Sequence, residues 1–299
     1  MSIVDAADRI EWSECWLTPR PMPAALASEV RRHLGLVPEW MTRVVDVPWI
    51  PRSFALMNDP QLAHMPPHLW RLIAFVVSQD QSCRHCYGLT RSMLKLIGYD
   101  DDVVERLERD VHLAHLDRAD ELALDFARKV SKANPGPTPD EIARLRTAGF
   151  TGAAIAEIAY AAAINVYGNR IATLLALPSE SMVRWADHPL ARLARPLAAL
   201  FLKVRAVNPE PLPQPNDGPC AEVVATLTGA PAARVLRRVI DDAMASPILA
   251  RRTKLLMLAV IGRALDCEHA EREARTGLAS EGFDTSDVDD VLANLGSSK

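Results

Sequence analysis

An all-α fold is what this sequence predicts, and three observations predict it. Strand signals are nearly absent: no β-branched run alternates with polar residues, and no Asn-Gly hairpin occurs. Helix punctuation recurs along the chain, with Asp, Ser, Thr or Pro ahead of apolar stretches and Gly behind them. A long alanine-rich stretch, residues 151–177, is closed by Pro178.

The elements follow in order. Residues 1–27 are irregular, and Trp12, Cys15, Trp16 and three prolines suggest an arm that packs by its tryptophans. Ser28 is a candidate cap for a helix through Leu34, ended by Gly35. The segment Val47-Pro48-Trp49-Ile50-Pro51 admits proline at a helix start. Met65-Pro66-Pro67 opens an almost wholly apolar helix, residues 69–78, and an amphipathic helix follows over 89–96 until Gly98. Asp100 to Asp102 cap a short helix carrying Val103, Val104, Leu107 and Val111. Asp117 to Asp120 open another with Leu122, Leu124, Phe126 and Val130 on its buried side. The stretch Asn134 to Glu141 ends that helix and caps the next, Ile142 to Ala148, and the alanine-rich helix follows.

Between the apolar and amphipathic helices lies Ser82-Cys83-Arg84-His85-Cys86-Tyr87, where the chemistry concentrates. If Cys83 sits in the first helical turn, Cys86 lies one turn further on the same face, with Cβ atoms ~5–6 Å apart. A helix N-terminus and a nearby histidinium both favour thiolate. A partly exposed thiol of low pKa with a resolving partner is what peroxide reduction and thiol–disulfide exchange both need. Two other readings stay open. Zinc would need two further ligands, and Cys15, Cys220 and Cys267 are solitary. Two reduced cysteines packed as small hydrophobes is the other, opposed by the polar run Gln79, Asp80, Gln81, Ser82 and Arg84.

Length and charge bound the rest. The 299 residues suffice for two domains, and a 49% apolar content suffices for their cores. A net charge of -4 gives no reason to invoke nucleic acid or an anionic membrane. No apolar run is long enough to span a bilayer, and the acidic N-terminus lacks the layout of a signal peptide. Five unevenly spaced cysteines do not form a secreted disulfide framework, so the cytoplasm is the expected location.

The second half repeats the first at an offset of 184 residues. Cys267-Glu268-His269-Ala270 falls on Cys83-Arg84-His85-Cys86, Gly282-Phe283-Asp284 on Gly98-Tyr99-Asp100, Arg275 on Arg91 and Leu278 on Leu94. Ala270 replaces the second cysteine, so Cys267 and His269 mark a degenerate site without a local disulfide. The expected organisation is a first helical unit with its arm and CxxC over 1–180, a helical segment and proline-rich linker over 181–219, and a second, incomplete repeat over 220–299. A half-built helical unit exposes apolar surface, which the first unit or another subunit must cover.

The apolar helix, CxxC, amphipathic helix, acidic-capped helix and alanine-rich helix together resemble the alkylhydroperoxidase D-like/carboxymuconolactone decarboxylase family. The similarity runs over about residues 60–178, and again, weakly, over 240–295. Cys83-x-His85-Cys86 matches the redox motif of the alkylhydroperoxidase branch, and Asn165 and Asn169-Arg170 look like the Asn-containing closing helix. The resemblance implies an all-helical, oligomeric bundle with no cofactor or metal. It also implies a reversible Cys83–Cys86 disulfide that reduces hydroperoxides or partner disulfides, regenerated by a thiol or dithiol reductant. The family's glutamate, twelve positions before the first cysteine, is Arg71 here, and its histidine, four after the second, is Thr90. Arg71, facing the pair, would stabilise a thiolate by charge. His85 is the nearest candidate base, and Asp80 could hold it or a water. Thr90 reads as a helix residue bonding its own backbone. His112 and His115 read as solvent-facing, and Glu157 and Tyr160 as possible pocket residues. Three functions stay open: a thiol peroxidase, a protein thiol–disulfide oxidoreductase, and a helical scaffold or redox sensor.

Overall fold

The computed structural model describes residues 15, 17–58, 62–133, 135–177 and 218–294. Trp12, Trp16 and most of the linker over 181–219 lie outside these residues. Two compact units divide the chain, the first within 1–210 and the second within 211–299 apart from a short stretch. Among the described residues the secondary structure is entirely helical.

The first unit holds α1 (Ala24–Leu34), α2 (Trp49–Asn58), α3 (Leu69–Asp80), α4 (Arg84–Leu96), α5 (Asp101–Arg109), α6 (Arg118–Lys132), α7 (Pro139–Thr147) and α8 (Gly152–Leu174), with 3-10 turns at Glu39–Arg43 and Val111–Leu113. Its hub is α3, whose only residues that are not buried are Arg71, Gln79 and Asp80. A helix apolar all round must be enclosed, and α4, α6 and α8 enclose it. Full burial of Leu69, Leu72, Ile73 and Phe75 contributes about 1.5–3 kcal/mol each.

Capping residues fall where the sequence placed them for most helices. Asp100, Asp117 and Thr151 are the N-caps of α5, α6 and α8. Thr138 and Glu141 form a capping box at α7. The first helix departs from expectation: α1 starts at Ala24, not Ser28, because Pro23 with extended ψ hands directly into a helical run. The amphipathic helix also starts five residues earlier than its apolar pattern suggests, at Arg84.

Glu157 explains how the alanine-rich helix is fixed. It is fully buried, and its carboxylate accepts the backbone N–H groups of Ala63, His64 and Met65 at 2.9, 2.8 and 2.7 Å. A buried carboxylate with three N–H donors is satisfied, and it ties α8 to the loop that feeds α3. Neither Glu157 nor Tyr160 lines the cavity described below. Residues 164, 165, 168, 169 and 172, farther along α8, do so instead. His112 and His115 are exposed, as expected.

The second unit holds α9 (Ala221–Ala225), α10 (Ala232–Ala245), α11 (Arg251–Ala264), α12 (Glu268–Ser280) and α13 (Thr285–Asn294). Leu255, Ala259, Ala274, Leu278, Val288 and Leu292 form its core. The α11–α12–α13 run repeats α3–α4–α5 at the offset of 184 residues, helix by helix. On its outer stripe α11 exposes Met257 and Ile261, and Leu265 at its C-cap is exposed as well.

Candidate functional site at the helix junction

A single motif ends α3 and begins α4. Ser82 takes the left-handed conformation, with φ of 52°. The Ser82 N–H bonds the Gln79 carbonyl at 3.0 Å and the Cys83 N–H bonds the Ser78 carbonyl at 3.2 Å. These are the two bonds of a Schellman closure. Cys83 is at once the last residue of that closure and the N-cap of α4. Its Sγ accepts the Cys86 N–H at 3.3 Å, the position an N-cap hydroxyl or carboxylate ordinarily fills.

The two sulfurs stand 2.6 Å apart, within hydrogen-bonding distance of each other. No disulfide joins them. Hydrogen bonding by Cys86 holds the Cys83 thiol below its ordinary pKa, with the Cys86 and His85 N–H groups and the Thr173 hydroxyl adding to the effect and burial opposing it. The direction follows from placing sulfur on the free N–H groups at the positive end of a helix.

Access separates the two thiols. Cys83 is 2% exposed and packs in a cluster with Val30, Trp40, Ala172 and Leu175. Cys83 is therefore not open to water: α1, the 3-10 turn and the end of α8 cover it. Cys86 is half-buried and lines a cavity of about 370 Å³. Along α3 the wall is Trp70, Arg71, Ala74 and Ser78; along α4 it is His85, Leu89, Thr90 and Met93. Asn165, Gly168, Asn169 and Ala172 of α8 complete it, with His33, Trp40 and Phe54 from the N-terminal region. Gly168 is needed there, since a Cβ would lie 2.9 Å from the Phe54 ring.

The sequence-named residues sort as follows. His85 is buried and lines the cavity beside Cys86, so it does not point to the surface. Arg71 lines the same cavity, and its Nε is buried without a hydrogen-bond partner. Desolvation pushes Arg71 down to about 10, which still leaves it charged at neutral pH. Thr90 lines the cavity while its hydroxyl donates to the Cys86 carbonyl at 2.8 Å, the local bond expected of it. Asp80 is not brought to the pair: it forms ion pairs with Arg128 at 3.3 Å and Lys132 at 3.7 Å. Two residues on from Ser78, it lies on the far side of α3. In the second unit, exposed Cys267 caps α12 and His269 pairs with Glu222.

Residues 33–58 supply one wall of the cavity, and no motif in the sequence marks them for it. The rings of Trp40 and Phe54 meet edge to face at 4.9 Å. Among the described residues no group of three or more His, Cys, Asp or Glu is placed to hold a metal ion. No helix among them is long and apolar enough to cross a membrane.

No protein-family profile matches the chain, and no curated protein does. Solved structures do. A peroxidase-related protein of Ralstonia eutropha JMP134, described as an alkylhydroperoxidase AhpD core, matches with a TM-score of 0.50 at 22% identity, over 57% of this chain and 96% of its own. An uncharacterized peroxidase-related protein from Silicibacter sp. TM1040 gives 0.48 at 22%, over 58% and 92%. The debrominase Bmp8 in complex with 2,3,4-tribromopyrrole gives 0.49 at 18%, over 58% and 96%. At 22% identity the likeness to the Ralstonia protein speaks for the fold alone: over the matched 57% of this chain, that fold is the alkylhydroperoxidase AhpD core.

Proposed function

We propose that the first unit is a thiol peroxidase in which Cys86 attacks a hydroperoxide and Cys83 resolves the product. The supporting observation is the division of labour at one helix N-terminus: two sulfurs 2.6 Å apart, one facing a cavity and the other sealed behind it.

Cys86 is the sulfur the substrate can reach, and it attacks as thiolate once its proton has passed across the 2.6 Å gap to Cys83. Its sulfur attacks the terminal peroxide oxygen, the O–O bond breaks, and the alkoxide leaves with the electron pair. His85, in the same cavity wall, is the group that delivers a proton to that alkoxide. Cys86 is then a sulfenic acid. The Cys83 sulfur displaces its hydroxyl, forming the disulfide, and the hydroxyl departs as water with the Cys83 proton. Two thiols and one hydroperoxide thus give a disulfide, an alcohol and water. A thiol or dithiol reductant restores the pair by exchange.

Free thiols counted by mass after brief stoichiometric peroxide test the reading. The native chain is expected to lose two, as a Cys83–Cys86 bridge. Cys83→Ser should stop at a sulfenic acid on Cys86, and Cys86→Ser should lose none over the same interval. An unchanged count in native, folded protein after minutes at millimolar peroxide would remove the peroxidase reading.

A further inference from the structure

Charge in the cavity is one-sided. Among the described residues Arg71 is the only one of the wall that carries a permanent charge, and none of them brings a carboxylate to it. Its buried Nε has no partner, and it forms no ion pair among the described residues. An unpaired guanidinium in a largely apolar enclosure is costly, so a site that retains one is shaped for an anion to complete it. On α8 the Asn169 Nδ2 is a second buried donor that lines the cavity without a partner. Leu34, Trp40, Phe54, Leu89, Met93 and Ile164 supply apolar walls around these donors. Arg71 and Ser78 lie on one face of α3, two turns or about 10 Å apart, with Ser78 at the thiol end.

We propose that the cavity binds an organic monoanion, a carboxylate on an apolar body, with the acid group on Arg71 and the body extending toward Cys86. This rests on the peroxidase reading for its chemistry and narrows the substrate to a hydroperoxide bearing a carboxylate. A neutral alkyl hydroperoxide leaves the guanidinium unanswered. Arg71 is then a substrate-binding residue, and the distance between it and Cys86 sets the separation of acid and peroxide groups. The volume, about 370 Å³, falls at the small end of the range for small-molecule sites.

The test measures binding to reduced protein, with no turnover, by calorimetry. Octanoate is compared with octanamide, which has the same skeleton and no charge. Octanoate should bind about tenfold tighter or more, the worth of a charge-assisted pair in a desolvated site. Arg71→Met should remove that preference while the amide binds as before, and Arg71→Lys should restore part of it. Equal affinity for acid and amide, no octanoate binding, or native octanoate affinity in Arg71→Met would each overturn the proposal. If Arg71→Met fails to fold, the acid–amide contrast on the native chain still decides. A carboxylate preference without loss of thiols under peroxide supports the anion site and overturns the peroxidase reading. Thiol loss without the preference does the reverse.

Discussion

The two helical hairpins, α3–α4 and α11–α12, share one backbone and differ in what it carries. In both, a non-glycine residue takes φ of 52° at the junction, Ser82 in the first and Asp266 in the second. In both, the next residue is a cysteine whose N–H bonds back five residues, Cys83 to Ser78 at 3.2 Å and Cys267 to Gly262 at 2.8 Å. In both, an arginine ties the second helix to the third, Arg91 to Glu108 and Arg275 to Asp289. The side chains then diverge. Arg71 corresponds to Leu255, a core residue 2% exposed, and Cys86 corresponds to Ala270. Met93 corresponds to Gly277, and a Cβ on Gly277 would lie 2.7 Å from the Leu255 side chain. The second hairpin therefore closes on itself where the first lines a cavity. The Schellman junction is a structural device, and only the residues around it make it a site.

The largest effect expected on this contrast comes from what the first unit adds to its hairpin, the α8 clamp. Glu157→Ala leaves three backbone N–H groups without their charged acceptor. Its unfolding free energy should fall by about 2–4 kcal/mol, with Glu157→Gln losing less. Urea unfolding gives the magnitude. Hydrogen exchange gives the place: protection should drop in α3 and α8 and hold in α11–α13. An equal drop across α11–α13 would break the picture of a hairpin that stands on its own core.

That clamp also shows how far the sequence could be read. The apolar α3, the CxxC, the capping acids and the alanine-rich α8 are local patterns, and the fold follows from them. The 184-residue repeat was legible for the same reason, because it preserves local signals at the helix junction. Glu157 was not legible, since a carboxylate in an alanine-rich helix reads equally well as a pocket residue until its three partners, more than ninety residues away, are placed. Asp80 misled for a related reason: nearness to Cys83 along the chain says nothing about the helix face, and Arg128 and Lys132 take it. The cavity wall from α1 and α2 depends on tertiary packing that no motif announces.

A smaller effect is expected at the residue that lets the second hairpin close. A Cβ on Gly262 would lie 2.8 Å from the backbone N of Glu271 and 3.2 Å from Ala270. The same position in the first unit is Ser78, which has room for its hydroxyl to bond the Ala74 carbonyl at 2.7 Å. Gly262→Ala should therefore force α11 and α12 apart and destabilise the second unit by about 1–3 kcal/mol. Exchange protection in α12 is the measurement. Unchanged protection would mean that the two hairpins are equally open and that cavity formation in the first owes nothing to Ser78.

The smallest change sharpens the shared feature. Left-handed backbone costs a non-glycine residue about 1–2 kcal/mol, partly offset by the entropy a glycine loses on folding. Ser82→Gly and Asp266→Gly should each stabilise their unit by about 0.5–1 kcal/mol in urea unfolding. Neither side chain forms the junction, since the backbone bonds do, so the Ser82→Gly chain should also keep the native thiol count under peroxide. If Ser82→Gly is stabilising and yet slows thiol loss, the serine holds Cys83 in register for its partner sulfur. The strain at that residue would then belong to the chemistry of the first hairpin, with no counterpart of use in the second.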